Sequence, residues 1–150
     1  MIIRKMSPDE IDLIINLFEY YKDETDIADE DWDLARVVQT IKNYSLSWNL
    51  FFRIAYEGQR PVGVIGGFVS EDPITGERCA AIQFNYLKPD YAGLGNYRQL
   101  VDEFVSWTRE VKADSIKCMD IGNDPTRLDD VYEELGFKQQ KINIYGKEIA

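Results

Sequence analysis

Two glycines near the middle of the chain, Gly93 and Gly95, suggest a binding site for a negatively charged group. They belong to the segment Tyr91-Ala92-Gly93-Leu94-Gly95-Asn96, which stands between a strand-like run and an amphipathic helix. Glycine lets the backbone turn sharply and expose its N–H groups. Because the first N–H groups of a helix are unpaired and lie at the positive end of its dipole, such a segment favours a phosphate or pyrophosphate.

The glycine spacing leaves two interpretations open. No Lys-Ser or Lys-Thr pair follows the glycines, which excludes a nucleoside-triphosphatase P-loop, and no third glycine completes the dinucleotide-binding pattern. The segment is therefore either an anion site of another kind or a strand-to-helix turn that needs glycine only for its conformation.

The chain contains no histidine, and this restricts the chemistry that it can perform. Nucleophile systems of the Ser-His-Asp and Cys-His kinds are excluded. Proton transfer must use Asp, Glu, Tyr, Lys, Cys or water. The two cysteines, Cys79 and Cys118, lie in strand-like runs, and without histidine they do not make a zinc site. We expect free thiols and no bound metal.

Length and composition indicate one globular domain, and charge and hydropathy limit its partners. The 150 residues, 45% of them hydrophobic and 13% aromatic, can bury one core, so residues 1–150 are predicted to form a single domain. The net charge of −10 argues against a nucleic-acid partner. No apolar stretch is long enough to span a membrane, and no signal peptide is visible, so we expect no membrane partner and a cytoplasmic location.

Hydrophobic periodicity predicts an α+β fold in the order β-α-α-β-β-β-α-β-α-β. The predicted segments are strands at 1–5, 50–56, 62–70, 79–87 and 115–121, helices after Ser7, near Asp31, after Gly95 and up to Leu135, and extended segments at 137–141 and 142–149. We therefore expect a mixed, mostly antiparallel central sheet of six to seven strands with four helices and one parallel pair. Gly66-Gly67 indicates a β-bulge or a close backbone approach.

The chain resembles the GNAT superfamily of acyl-CoA N-acyltransferases along essentially its whole length. The resemblance rests most on the segments LKPDYAGLGNYRQLVDEFVSW and DPTRLDDVYEELGF. Gly93 and Gly95 fall on the two glycines of the family's Gln/Arg-x-x-Gly-x-Gly/Ala motif, while Asp90 stands where the family has Gln or Arg. Residues 132–137 match the family's closing Tyr-Glu-x-Leu-Gly-Phe. The short chain and its Asp90 also resemble phage-encoded members.

The resemblance implies an N-acetyltransferase that moves an acetyl group from acetyl-CoA to a primary amine by direct attack. The parallel strands are expected to splay apart near Leu87 and Met119 and to pair there with the pantetheine arm. Backbone N–H groups of residues 91–96 are expected to hold the pyrophosphate. Tyr132 is the candidate acid for the leaving thiolate, and the base is a water relay, Glu71 or Asp120. The candidate cofactor-binding residues are Tyr86, Leu87, Lys88, Tyr91, Ala92, Gly93, Leu94, Gly95 and Asn96.

The acceptor is expected to be an amine-bearing small molecule or a protein lysine or N-terminus. The acidic connector 23–33 either steers such a cation to the site or is an ordinary solvated segment. The alternative function is a catalytically silent GNAT-fold structural or interaction protein, for example a phage virion or assembly component, located in the host cytoplasm or the virion. An exposed final strand such as 142–149 leaves open a homodimer or a larger assembly.

Overall fold

The computed structural model of the chain describes residues 1–24, 33–118, 125–140 and 145–149, which contain four α-helices and five strands. The strands are β1 (Ile2–Arg4), β2 (Leu50–Glu57), β3 (Arg60–Glu71), β4 (Arg78–Leu87) and β5 (Ser115–Cys118). The helices are α1 (Ile11–Glu24), α2 (Leu34–Leu46), α3 (Leu94–Glu110) and α4 (Pro125–Glu134). The predicted α+β class and the four helices are confirmed.

The five strands form one mixed sheet in the order β1-β2-β3-β4-β5. The pairs β1–β2, β2–β3 and β3–β4 are antiparallel. The pair β4–β5 is parallel, and its strands are connected through α3. The predicted parallel pair is therefore confirmed. Its register joins Cys79–Ile82 of β4 to Ser115–Cys118 of β5. The predicted splay around Met119 lies outside the described residues.

The prediction of six to seven strands is wrong for the described part of the chain, which forms five. The segments 137–140 and 145–149 contain no strand, and all of their residues except Phe137 are exposed. Phe137 packs against the core. Because the described residues after Phe137 are all exposed, they do not form the half-buried strand that the sequence pattern predicted. The remainder of the two predicted segments lies outside the described residues.

The start of α1 is fixed by a small polar cluster around Glu10. Its carboxylate accepts a hydrogen bond from the Ser7 N–H at 2.9 Å and one from each terminal guanidinium nitrogen of Arg4 at 2.8 Å. The Arg4 guanidinium lies 3.9 Å from the centroid of the Tyr56 ring. Since Arg4 is in β1 and Tyr56 in β2, this cluster ties the entry of α1 to the edge of the sheet.

Strand β4 contains a β-bulge opposite the glycine pair of β3. Gly66 is paired with Phe84 and Gly67 with Ile82, which leaves Gln83 as an additional residue in β4. A Cβ atom on either glycine would lie within 2.5 Å of an atom of the neighbouring strand β4. The prediction that Gly66-Gly67 marks a bulge or a close backbone approach is confirmed in both respects.

The bulge allows β4 to contribute to two hydrophobic cores, one on each side of the sheet. Ile82 belongs to the core that contains Phe104 of α3. Phe84 and Tyr86 pack in the other core, which contains Phe18 of α1. In a regular strand, side chains two residues apart lie on the same face. The additional residue at the bulge therefore shifts the alternation by one position.

Replacing Gly67 with alanine tests the importance of this close approach. The new Cβ would lie 2.3 Å from the Ala81 carbonyl oxygen, a backbone atom that cannot rotate away. We expect the free energy of unfolding, measured by urea denaturation, to fall by about 1–3 kcal/mol. Gly93→Ala is the control, because a Cβ there meets no atom within 4 Å. Equal losses of stability in the two variants would contradict the packing argument.

Replacing Glu10 with glutamine is expected to lower stability in a pH-dependent way. The hydrogen bonds from Arg4, together with the Ser7 N–H, lower the pKa of Glu10 from 4.5 to about 2. A lowered native pKa stabilises the protein fully above pH 4.5, and this stabilisation is lost as the pH falls towards 2.

Urea denaturation at pH 7 should therefore show Glu10→Gln to be less stable than the unchanged protein by about 1–2 kcal/mol, a value reduced by partial solvent exposure. At pH 3 the difference should be smaller. Asp9→Asn is the control, because Asp9 forms no ion pair with any described residue. A Glu10→Gln deficit that is independent of pH would show that the ionised carboxylate is not the stabilising group.

Candidate active site

The segment between β4 and α3 is a compact turn held by its own backbone. Residues 89–91 form a single 3-10 turn, in which the Tyr91 N–H donates to the Lys88 carbonyl oxygen at 2.8 Å. The Ala92 N–H donates to Pro89 at 3.2 Å, and the Gly93 N–H donates to Tyr91 at 2.8 Å. Three of the N–H groups predicted to hold a pyrophosphate are therefore used within the turn.

The N–H groups of Leu94 and Gly95 make no hydrogen bond with any described residue. The next two N–H groups, of Asn96 and Tyr97, both donate to the Gly93 carbonyl oxygen at 3.1 Å. Leu94 and Gly95 thus provide the unpaired donors that every α-helix has in its first turn. The Asn96 side chain closes the turn by donating to the Tyr91 carbonyl oxygen at 2.9 Å.

The absence of side chains at Gly93 and Gly95 is not required by the fold. Gly93 has φ of −95°, Gly95 is not among the residues with positive φ, and a Cβ atom on either would meet nothing within 4 Å. The interpretation that this turn needs glycine only for its conformation is therefore wrong. What the glycines leave is open space at their own side-chain positions, next to two unpaired N–H groups.

Asp90 does not occupy these donors. Its carboxylate is exposed and makes no hydrogen bond with any described residue. A positive charge is also present in the turn, because Lys88 places its ammonium nitrogen 4.3 Å from the centroid of the Tyr20 ring. The cation–π contact directs this charge towards α1, beside the end of β4.

The last part of β4 lies beyond its register with β5. That register ends at Ile82, while Phe84–Leu87 are registered with β3. The side chains of Tyr86 and Leu87 are buried in the two cores, with 5% and 2% of their surfaces exposed. These two cofactor-binding candidates can therefore face a ligand only through their backbone.

Asn85, which directly precedes Tyr86 in β4, has a side-chain amide that lacks hydrogen-bond partners among the described residues. Both polar atoms of its side-chain amide are buried and have no hydrogen-bond partner among the described residues. Leaving a buried polar group unpaired costs about 1–3 kcal/mol. Sequence reasoning assigned no role to Asn85, because a lone amide in an apolar strand carries no distinctive pattern.

Tyr132 lies on α4, a helix that packs against α3. An ion pair between Arg98 of α3 and Glu134 of α4 joins the two helices. The Tyr132 ring is half-buried, with its centroid 5.5 Å from that of Phe137. Gly136, with φ of 87°, ends the helix, and the Phe137 N–H donates to the Tyr132 carbonyl oxygen at 2.9 Å. The closing motif therefore ends α4 and holds the candidate acid in place.

A cavity of about 370 Å³ lies on the face of the sheet opposite α3, between α1, α2 and strands β2 and β4. Polar residues of α2 and its N-terminal cap line the exposed rim, and aromatic side chains line the interior. At its base the Tyr44 hydroxyl donates a hydrogen bond to the side-chain oxygen of Gln83, the additional residue of the bulge. Burial raises the pKa of Tyr44, so its hydroxyl stays protonated and acts as a donor.

Sequence reasoning did not identify this cavity, because its walls come from segments far apart in the chain. The Gly66-Gly67 pair indicated the bulge, but it did not indicate that Gln83 is the additional residue. Asp33, interpreted as part of an acidic connector, caps α2 by accepting a hydrogen bond from the Arg36 N–H at 3.3 Å. Residues 25–32 of that connector lie outside the described part of the chain.

The described structure does not bring either carboxylate that was proposed as a base to the candidate site. Glu71 forms an ion pair with Arg78 at 3.7 Å. Arg78 is six residues before Phe84 along β4, a separation of roughly 20 Å at the rise of an extended strand. Glu71 is therefore at the wrong end of the sheet. Asp120 lies outside the described residues.

The described residues contain neither a metal-ligand cluster nor a membrane-spanning helix. No group of three or more metal-ligating side chains was found. No described helix is long and apolar enough to cross a bilayer.

Comparisons with known proteins place the chain among acetyltransferases. The sequence profile of the acetyltransferase (GNAT) family matches residues 14–137. No curated protein matches the chain by sequence.

Solved structures resemble this one over their whole length at low sequence identity. An apo aminoglycoside 6'-N-acetyltransferase from Acinetobacter haemolyticus has 14% identity and a TM-score of 0.74, with 100% of each chain covered. The enzyme AAC(6')-Iy, in complex with the bisubstrate analogue CoA-S-monomethyl-acetylneamine, has 15% identity and a TM-score of 0.77, with 99% of this chain and 98% of that chain covered.

A ribosomal-protein-alanine N-acetyltransferase from Brucella melitensis biovar Abortus 2308 has 15% identity and a TM-score of 0.72, with 99% of this chain and 100% of that chain covered. At these identities the structural likeness concerns the fold. The family profile, in contrast, matches most of the sequence, including the glycine turn and the closing motif. The chain therefore belongs to the GNAT acetyltransferase family.

Proposed function

We propose that residues 1–150 form one N-acetyltransferase domain that transfers the acetyl group of acetyl-CoA to a primary amine. Family membership supports this activity. The structural observation that carries it is the pair of unpaired N–H groups of Leu94 and Gly95 at the start of a 17-residue helix, beside the open side-chain positions of Gly93 and Gly95. A diphosphate supplies the acceptor oxygens that such donors lack.

The residues present fit a CoA-type ligand. In this proposal the backbone of Leu94 and Gly95 binds the pyrophosphate, and Lys88 adds a positive charge. The other residues of the turn, Tyr91, Ala92, Gly93 and Asn96, hold the turn in shape through their own hydrogen bonds. The backbone of Tyr86 and Leu87, at the end of β4, lines the path of the pantetheine arm.

When bound, acetyl-CoA supplies the acyl group: its C–S bond breaks, a C–N bond to the amine forms, the amine loses a proton and the thiolate gains one. Tyr132 is proposed to donate the proton that the thiolate gains. The position of the Tyr132 ring against the capped end of α4 would keep the hydroxyl in one orientation. Since Glu71 is remote, the proposed route for the amine's proton is through water.

No observation favours the alternative of a catalytically silent structural protein. That alternative drew on Asp90, whose carboxylate would have blocked the turn by binding its N–H groups. The carboxylate instead leaves them unpaired. An acetyltransferase in the cytoplasm that acts on a small or protein-borne amine remains the proposed function.

The variant Gly95→Asp tests whether the glycine turn binds the cofactor. Acetyl-CoA at about 100 times its dissociation constant should stabilise the unchanged protein by about 2.7 kcal/mol, which a thermal-shift assay detects. We expect Gly95→Asp to abolish this shift, because the new carboxylate fills the open space and repels the pyrophosphate. The fold should tolerate it, since a Cβ there meets no other atom.

Gln99→Glu is the matched control, because it adds the same charge to an exposed position one turn further along α3. This control should retain the shift. No shift in the unchanged protein at millimolar acetyl-CoA would refute the proposed function, and an undiminished shift in Gly95→Asp would remove the turn from the binding site.

The variant Tyr132→Phe tests the proposed proton donor. Removing the hydroxyl should lower kcat by about 100-fold, the lower end of the range for general acid catalysis, while the affinity for acetyl-CoA is unchanged. Release of the CoA thiol measures turnover, and the thermal shift measures binding. Tyr145→Phe, at a position that is 92% exposed, is the control and should leave both unchanged. An unaltered kcat in Tyr132→Phe would eliminate Tyr132 as the acid.

A further inference from the structure

The base of the α1–α2 cavity is the bulge of β4. Gln83 and Phe84 both line the cavity, and they immediately follow Ile82, where the register with β5 ends. The same strand continues through Leu87 to the glycine turn. A molecule in this cavity would therefore meet β4 on the opposite face of the sheet from α3, beside the part of the strand along which the pantetheine arm is proposed to lie. In the proposed function, this is where the acceptor amine enters.

Aromatic rings form the interior of the cavity and fix its shape. The centroid of Phe84 lies 5.7 Å from that of Phe18 and 5.9 Å from those of Phe52 and Tyr44. Phe18 and Phe52 are stacked with an interplanar angle of 11° and a centroid distance of 6.4 Å. Such rings interact best with an apolar or aryl group, and their faces attract an ammonium group.

The interior offers few polar partners to a ligand. The Tyr44 hydroxyl and the side-chain oxygen of Gln83, two polar groups at the base, are bonded to each other. The other polar side chains described in the lining are Tyr21 of α1, which is half-buried, and Asp33, Arg36 and Thr40, which are on α2 or its cap and are exposed. A hydroxyl-rich ligand would bury hydroxyl groups that find no hydrogen-bond partner. Each hydroxyl that loses its hydrogen bond to water in this way weakens binding by about tenfold.

The size of the cavity also limits the occupant. Its volume of about 370 Å³ is near the lower end of the range for small-molecule sites. An aryl group with a short aminoalkyl chain fits this space, whereas a molecule of several sugar rings exceeds it and would extend past the rim into solvent.

We propose that the acceptor is a small primary amine with an aryl or branched-alkyl body, and not an aminoglycoside or a polyamine. This inference rests on the proposed acetyltransferase function. The body would occupy the aromatic interior, and the amine would point towards β4 at the bulge. In the reaction, the protonated amine and acetyl-CoA give the N-substituted acetamide, the free CoA thiol and one proton.

The first experiment measures acceptor preference with the full chain and acetyl-CoA. The acceptors are 2-phenylethylamine, spermidine and kanamycin, and CoA thiol release is followed for each. We expect kcat/KM for 2-phenylethylamine to exceed both others by at least about tenfold. If spermidine or kanamycin is acetylated faster, the acceptor inference is overturned while the proposed function stands.

The second experiment measures binding without the cofactor. Calorimetry should detect 2-phenylethylamine binding to the unchanged protein and at least about tenfold weaker binding to Thr40→Trp, whose indole would fill the cavity from its rim. Thr40 is exposed, so the substitution should not disturb the core. Lys42→Trp, at an exposed position on α2 that does not line the cavity, is the matched control and should bind normally.

The two experiments separate the failure of this inference from the failure of the proposed function. Absence of 2-phenylethylamine binding, or equal binding by Thr40→Trp and the unchanged protein, overturns the acceptor assignment even if the thermal shift with acetyl-CoA is present. Absence of that shift refutes the proposed function instead, whatever amine the cavity binds.

Discussion

The single additional residue at Gln83 determines how the two halves of the candidate site are related. Because the bulge shifts the side-chain alternation by one position, Ile82 packs under α3 while Phe84 packs under α1 and α2. The close approach of β3 that accommodates this shift is possible because Gly66 and Gly67 have no side chains. One strand can thus form the base of an aromatic cavity on one face and lead into the glycine turn at its end.

The proposed cofactor site would let an acidic chain bind an anion through backbone groups. The net charge of −10 opposes the approach of a diphosphate at long range. At contact distance, the positive end of the α3 dipole and two unpaired N–H groups act directly on the ligand. The turn uses its other N–H groups internally, so its geometry is fixed before a ligand arrives and less conformational entropy is lost on binding. Lys88 adds a local charge held near α1.

Much of the fold could be predicted from the sequence, because it depends on local patterns. The helices show apolar residues at a spacing of three and four, Pro8 and Gly136 mark helix ends, and Gly66-Gly67 marks the bulge. In the described part of the last predicted segments, the prediction of strands was wrong, since residues 138–140 and 145–149 are exposed and form no strand, and an alternating pattern cannot reveal that. The hydrophobic pattern of a single strand also cannot show which other strands pair with it in the sheet.

The candidate site was only partly predictable for the same reason. The glycine turn is contiguous in sequence, so its location followed from its residues. Which of its N–H groups are unpaired depends on bonds such as that from Asn96 to Tyr91, which spacing alone does not specify. The cavity depends on α1, α2, β2 and β4 meeting in space, and its link between Tyr44 and Gln83 joins residues 39 positions apart.

The location of the two cores on opposite faces of the sheet has a consequence for how such a chain can diverge. Substitutions in α1 and α2 alter the walls of the cavity while leaving the packing beneath α3 intact. Over evolutionary time, the preference for one acceptor can therefore drift or be replaced without loss of the means to hold the acyl donor. Related chains that keep the glycine turn could in this way come to modify very different amines.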